Sequence, residues 1–310
     1  MEWIFIVAGI AALYLGGELI VRGGGGVAKG FNVRPAIIGL TFIAFGTSVP
    51  EMTVTVIASA AGQGDIALGN IIGSNIANIG LVIGISAMIR PLTVEREMVR
   101  REVPISIFAV VLFLMMGLDG KIGRADGVFL VACMAAFIIY MIVKARRERF
   151  SKTDEEAATS RGGMALSFLF LILGVVAVVG GGHIFLKSAM FVARAYGISE
   201  IFIGLSLVAL GTSLPELATS TVAAFRNQSD LCVANIVGSN IINIFCGIGL
   251  AAIVNPIAIS SGLYTNQFIF LIGFALALLP IAWSGFRISR VEGGFCIAAY
   301  MCFIYFAYVY

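Results

Sequence analysis

Glu51 and Glu216 are the residues least at home in their surroundings. Glu51 stands in AFGTSVPEMTV (44–54), within a run of 27 mostly apolar residues from Pro35 to Ala61 that holds no Lys or Arg. Glu216 stands in LGTSLPEL (210–217). A carboxylate inside an apolar span is costly and by default marks an ion or proton pathway. A lone Glu of this kind could be a protonated, hydrogen-bonded helix contact. Two in matching G-T-S-x-P-E contexts argue for a shared chemical task. Each acid is preceded by hydroxyls, Thr47 and Ser48 in one case and Thr212 and Ser213 in the other. Thr47 and Glu51 are four residues apart, hence on one helical face. Pro50 and Pro215 have no N–H, so the carbonyls of Gly46 and Gly211 lose their helical donor and the helix kinks there. Freed carbonyls are admitted at membrane depth only where they face protein or an aqueous cavity.

Ser74 with Asn78, and Ser239 with Asn243, are again four apart and add hydroxyl and amide oxygens. Asn75 and Asn240 fall on another face and are expected only to bond between helices. The donor set contains oxygen alone. That suits a hard cation, either Ca²⁺, which takes about 6–8 oxygens, or Na⁺. Zn²⁺ or Cu⁺ would call for His or Cys. His183, the only histidine, is read as a structural or pathway-mouth residue, and its counterpart in the repeat described below is Glu18.

The elements that hold these residues are membrane helices. The chain has 310 residues, 60% hydrophobic and only 12% charged, and a mean hydropathy of +1.03, which excludes a soluble protein of this size. Apolar stretches of about 20 residues, enough to cross a hydrocarbon core, recur along its whole length. Ten spans are expected, near 3–21, 35–61, 66–89, 104–118, 126–144, 164–186, 198–225, 230–254, 264–285 and 291–310. The N-terminus MEWIFIVAGI has no basic n-region and no small-residue cleavage site, so it reads as the first span. RGGGGVAKG (22–30) reads as a flexible or close-packed connection, since it lacks the strand context of a phosphate loop. With the N-terminus outside, only Lys121, Arg124, Lys187 and Arg194 of the 20 Lys and Arg fall on the outer side. This is a strong positive-inside bias, and it places the 144–163 loop in the cytoplasm. The net charge of +3 therefore reflects topology and not a nucleic-acid surface. All five cysteines lie in apolar spans and read as small buried hydrophobes.

The motif is duplicated. GLTFIAFGTSVPEMTVT (39–55) and GLSLVALGTSLPELATS (204–220) match at 8 of 17 positions, and NIIGSNIANIGLVIG (70–84) and NIVGSNIINIFCGIG (235–249) at 10 of 15. Both pairs share one offset of 165 residues, so the register holds through two helices. Five spans per copy turn the second copy over, which predicts an inverted-topology repeat of the secondary-transporter kind, with the ion site where the halves meet. The units expected are 1–150, a cytoplasmic linker 151–163, and 164–310.

At these residues the chain resembles the sodium/calcium exchanger family of the Ca²⁺/cation antiporters, whose two α-repeats GTSVPE/GSNIANI and GTSLPE/GSNIINI look like. It is unlike the proton-coupled branch that carries G-N-x-x-E. The resemblance implies an all-α protein of ten helices in two inverted five-helix repeats. It also implies that Glu51 and Glu216 are the central Ca²⁺ ligands and that Thr47 and Thr212 offer backbone carbonyls and line Na⁺ sites. Ser48, Ser213, Ser74 and Ser239 would be Na⁺ ligands, with Asn78 and Asn243 at the centre. Members often carry Asp at one of those last two positions, whereas both are Asn here. The core then carries at most −2, which one Ca²⁺ or two Na⁺ neutralise; the three Na⁺ the resemblance implies would leave one positive charge uncompensated. In the family the first and sixth helices slide against a fixed core, a contact that Gly16, Gly17, Gly23 to Gly26 and Gly180 to Gly182 would suit.

The expected activity is exchange of Ca²⁺ for Na⁺ by alternating access across a plasma-type membrane, with no enzyme chemistry and no cofactor. The partners are the two ions and the bilayer, and a monomer is admissible. The rivals are Ca²⁺/H⁺ antiport on the same glutamates, a Ca²⁺ channel, and an intramembrane protease.

Overall fold

Inside hydrocarbon a chain can satisfy its backbone only as helices or a closed barrel, and the long apolar runs here fold as helices. The computed structural model describes residues 2–151, 161–196, 209–259 and 264–309. The first part of the seventh expected span, 198–208, and residues 152–160 of the expected linker lie outside the described residues. In order the helices are α1 (Glu2–Phe31), α2 (Pro35–Ile38), α3 (Ala44–Thr47), α4 (Val49–Ala60), α5 (Gly64–Ala77), α6 (Gly84–Ile89), α7 (Arg96–Arg100), α8 (Glu102–Met116), α9 (Arg124–Ser151) and α10 (Arg161–Ala195). They continue with α11 (Ala209–Thr212), α12 (Leu214–Phe225), α13 (Ser229–Ile242), α14 (Gly249–Val254), α15 (Tyr264–Trp283) and α16 (Arg290–Val309). Short π-helical segments, Gly39–Ile43, Asn78–Ile83 and Asn243–Ile248, join α2 to α3, α5 to α6 and α13 to α14.

Among the described residues, eight helices are long and apolar enough to span a membrane, and the bent pair Pro35–Thr47 and Val49–Ala60 makes a ninth. The chain is thus a multi-pass, all-helical membrane protein. Two spans form its centre. Within an 18-residue apolar stretch of each, Gly64–Ile89 is 78% and Ser229–Val254 is 83% buried, against 17–33% for the other six. The outer helices turn apolar side chains such as Trp3, Ile139 and Phe295 outward, as a lipid-facing surface requires. Four two-residue strands tie the halves together. Leu92–Thr93 pairs antiparallel with Arg287–Ile288, and Lys121–Ile122 with Ile257–Ala258.

Three expectations are corrected. The first helix does not stop near residue 21 but runs through RGGGGVAKG to Phe31. Its glycines are helical because they permit close packing: a Cβ on Gly16 would lie 2.8 Å from the Val178 amide nitrogen, and one on Gly23 2.6 Å from that of Leu171. With Gly9, Gly174 and Gly181 these form a seam along which the backbones of α1 and α10 touch, which is how small residues hold membrane helices together. The proline kink is also different in kind. The chain breaks at Ser48 (φ −82°, ψ 1°), and Pro50 sits in the first turn of a new helix, where its missing N–H costs nothing; Ser213 (φ −86°, ψ 6°) and Pro215 repeat this. Finally, the cysteines are not uniformly buried: Cys232 and Cys296 are, Cys133 and Cys246 are half-buried, and Cys302 is exposed.

Candidate functional site

The break at Ser48 bends the span by 45° and starts α4 afresh, so Glu51 falls in the first turn of a helix, as Glu216 does in α12. A helix N-terminus favours negative charge, and this partly offsets the cost of a carboxylate with no exposed surface, the state of both acids. Each helix packs on the π segment of the other half, α4 on Asn243–Ile248 and α12 on Asn78–Ile83. Each acid's helix thereby lies against the segment that an asparagine, Asn243 or Asn78, opens. π segments of this kind are frequent at functional sites.

The ten residues singled out in the sequence are all buried, and hydrogen bonds across the two halves of the sequence link the acids with the serines and the asparagines with one another. The serines cross over. Ser48 Oγ donates to Glu216 Oε1 at 3.1 Å, and Ser213 Oγ to Glu51 Oε1 at 3.4 Å. Ser239 Oγ also donates to Glu216 Oε1, at 3.4 Å, and Ser74 Oγ lies 3.4 Å from Thr212 Oγ1. The threonine hydroxyls make further contacts. Thr47 Oγ1 donates back to the Ile43 carbonyl at 3.1 Å, with Asn235 Oδ1 at 3.3 Å, and Thr212 Oγ1 lies 3.4 Å from Asn70 Oδ1.

Asn75 and Asn240 do bond between helices, and the bonds they make matter. Asn78 Nδ2 donates to Asn240 Oδ1 at 3.0 Å, and Asn243 Nδ2 to Asn75 Oδ1 at 3.1 Å. Each central amide thus spends its nitrogen on a neighbour and keeps its oxygen. Among the site's carboxylates and central amides, four buried oxygens are left with no partner in the protein, Glu51 Oε2, Glu216 Oε2, Asn78 Oδ1 and Asn243 Oδ1, beside one donor without an acceptor, Asn75 Nδ2. An unsatisfied buried acceptor costs about 1–3 kcal/mol, more for a charged group. Here the four fall into two pairs separated by 165 residues. Acceptors without donors are what a bound cation would satisfy. No cluster of three or more His, Cys, Asp or Glu capable of holding a transition metal occurs among the described residues.

Four residues that the sequence reading passed over complete the network. Asn70 Nδ2 donates to the Glu51 carbonyl at 3.0 Å and to Thr55 Oγ1 at 2.9 Å, and Asn235 Nδ2 donates to Ser220 Oγ at 3.1 Å. The signal was present. Asn70, Ser74 and Asn78 are successive members of an i, i+4, i+8 series, and so are Asn235, Ser239 and Asn243. His183 is exposed and takes no part. Its counterpart Glu18 pairs with Arg22 at 2.6 Å and Arg226 at 2.8 Å.

A bundle of membrane helices enclosing buried carboxylates, hydroxyls and amides has the polar centre that an ion-transport protein needs. The chain matches the family model described as sodium/calcium exchanger protein over residues 1–143 and 166–309. It is 31% identical to the inner membrane protein YrbG of Escherichia coli, covering 90% of this chain and 87% of that one. It is 28% identical to the sodium/calcium exchanger MaX1 of Methanosarcina acetivorans, covering 98% and 97%. The solved structure of the sodium-calcium exchanger NCX_Mj soaked with 10 mM Na⁺ and zero Ca²⁺ superposes with a TM-score of 0.86 at 32% identity over 98% of both chains. This chain belongs to the sodium/calcium exchanger family, and it is a cation antiporter. Membership sets aside the channel and protease readings.

Proposed function

We propose that this chain exchanges Ca²⁺ for Na⁺ across a plasma-type membrane at a single buried site built on Glu51 and Glu216. The observation that carries this is the set of four partnerless oxygens, two carboxylate and two amide, enclosed with no solvent exposure on the acids. Ca²⁺ would take both carboxylates, the two asparagine oxygens and backbone carbonyls at the two helix breaks, those of Thr47 and Thr212 among them. Na⁺ ions would use the same acids with Ser48, Ser213, Ser74 and Ser239. Because one set of oxygens serves both ions, binding of either excludes the other, and exchange follows if only a loaded site permits the switch in access.

The halves 1–150 and 164–310 would be inverted five-helix repeats, giving ten helices with α11 and α12 as the end of the seventh. Supporting this, the polar contacts come in pairs one offset apart: Ser48 to Glu216 with Ser213 to Glu51, and Asn78 to Asn240 with Asn243 to Asn75. The N-terminus would lie outside and the 144–163 loop inside. Ca²⁺/H⁺ antiport is the second reading, since two buried carboxylates could each carry a proton in place of Na⁺.

The test is ⁴⁵Ca²⁺ uptake into proteoliposomes driven by an outward Na⁺ gradient or an outward H⁺ gradient at matched voltage. Uptake on Na⁺ alone is expected, and its voltage dependence then counts the ions. Uptake on H⁺ alone would replace Na⁺ by H⁺ as the coupling ion.

A further inference from the structure

Away from the glutamates, two cavities adjoin on the flank formed by α2, α9 and α10. One, of about 750 Å³, is an apolar trough whose walls include Ile37, Phe42, Met134, Ile138, Ile142 and Ile172. The other, of about 420 Å³, is lined by Arg34, Glu97, Arg101, Tyr140, Lys144 and Arg147, with Val143. They are neighbours along the same stretches of chain. Val33, Ala145 and Arg146 line the first, and Arg34, Lys144 and Arg147 the second. An alkyl-sized trough therefore runs into a charged pocket.

The charges in that pocket do not cancel. Glu102 Oε1 is taken by Lys144 at 2.8 Å and by the Tyr140 hydroxyl at 2.7 Å. Glu95 and Glu97 are taken by Arg34, and Glu97 also by Arg101 at 3.1 Å. Arg146 and Arg147 are exposed and have no acidic partner among the described residues. These two guanidinium groups leave the margin of the pocket cationic where it adjoins the trough. Ile138, Ile142 and Ile172, on α9 and α10, are exposed apolar residues at the trough, so it opens toward the bilayer.

We propose that this is the seat of one anionic phospholipid, with an acyl chain in the trough and its phosphate held by Arg147, Arg146 and Arg101. A basic pocket between membrane helices recognises anionic headgroups, and guanidinium groups match phosphate geometry in a way an ammonium does not. The trough also touches Phe45 and Gly46, just before the break at Ser48, and Val175 on α10. An occupant would contact the helix leading to Glu51 and the α1–α10 pair at once.

The test uses the purified full chain, delipidated in detergent and titrated with phosphatidylglycerol or phosphatidylcholine of identical acyl chains, with bound lipid counted by native mass spectrometry. One phosphatidylglycerol is expected to bind about tenfold more tightly than phosphatidylcholine, and R146Q/R147Q to abolish that preference. Ile142→Trp, which fills the trough, should weaken retention of both lipids, with unchanged ⁴⁵Ca²⁺ binding showing that each variant is folded. Equal retention of the two lipids, or a preference that survives R146Q/R147Q, would overturn the proposal. So would displacement of the lipid by inorganic phosphate alone, which would make the pocket a free-anion site. A D154N/E155Q/E156Q variant that binds phosphatidylglycerol about tenfold more tightly than the parent would also overturn it, by assigning the pocket to the chain's own acidic segment.

Discussion

Glu51 and Glu216 share a geometry in which one carboxylate oxygen accepts a serine hydroxyl from the opposite half and the other accepts nothing. The asparagines Asn78 and Asn243 are set up in the same way, with nitrogen committed and oxygen free. Asn75 and Asn240 are therefore positioning residues, and partners of that kind typically matter 10–100-fold for affinity. Replacing Asn240 by Ala should leave Asn78 free to rotate and weaken ⁴⁵Ca²⁺ binding to the purified protein by about 10-fold or more; unchanged binding would mean that the amide needs no orienting. The ten proposed ligands stood out in the sequence because acids, hydroxyls and amides repeated in apolar spans contrast with their surroundings, and all ten are buried. Asn70 and Asn235 were not picked out, since an amide one turn before a serine is also an ordinary helix contact. Only the i, i+4, i+8 series in both copies distinguishes them, and its meaning depends on what lies opposite.

At the level of elements, a glycine run reads as a break because each helical glycine costs about 1 kcal/mol relative to alanine. The backbone contact between α1 and α10 overrides that cost, and no local property of RGGGGVAKG reveals it. The individual glycines are accordingly unequal. Gly23→Ala would push a methyl to 2.6 Å from the Leu171 nitrogen and should destabilise by about 1–3 kcal/mol. Gly25 has its nearest neighbour, Gln228, at 3.8 Å, so Gly25→Ala should be neutral or stabilise by up to about 1 kcal/mol. Thermal unfolding in detergent separates the two, and equal effects would refute the seam. The buried Lys144–Glu102 pair offers another contrast. Lys144→Met leaves Glu102, which has no exposed surface, without its cation, at a cost of about 3–5 kcal/mol. Adding Glu102→Leu should recover most of that loss in the same assay. A double variant no more stable than Lys144→Met would show that the pair is not what matters there.

For the whole molecule, composition and hydropathy disclosed the class, and the duplicated motif is the ground for proposing two related halves. The charge bias predicts an orientation, which cysteine labelling can test. In a background with its five cysteines replaced, Lys121→Cys should react with a membrane-impermeant maleimide from outside intact cells, and Arg147→Cys only after permeabilisation. The reverse pattern would invert the topology. Less legible was how the halves interlock. The strand pairs Leu92–Thr93 with Arg287–Ile288 and Lys121–Ile122 with Ile257–Ala258 join segments too short and too far apart in the chain to carry a periodic signal.

The central claim is that Ca²⁺ and Na⁺ compete for one site made by Glu51 and Glu216. Equilibrium ⁴⁵Ca²⁺ binding to the purified protein, measured against increasing Na⁺ for the parent chain and for Glu51→Gln and Glu216→Gln, tests it most directly. Na⁺ should displace Ca²⁺ from the parent competitively and with a Hill coefficient above 1, and either substitution should remove high-affinity Ca²⁺ binding while the protein stays folded. Parent-like Ca²⁺ affinity in both variants, or Ca²⁺ that Na⁺ does not displace, would contradict it.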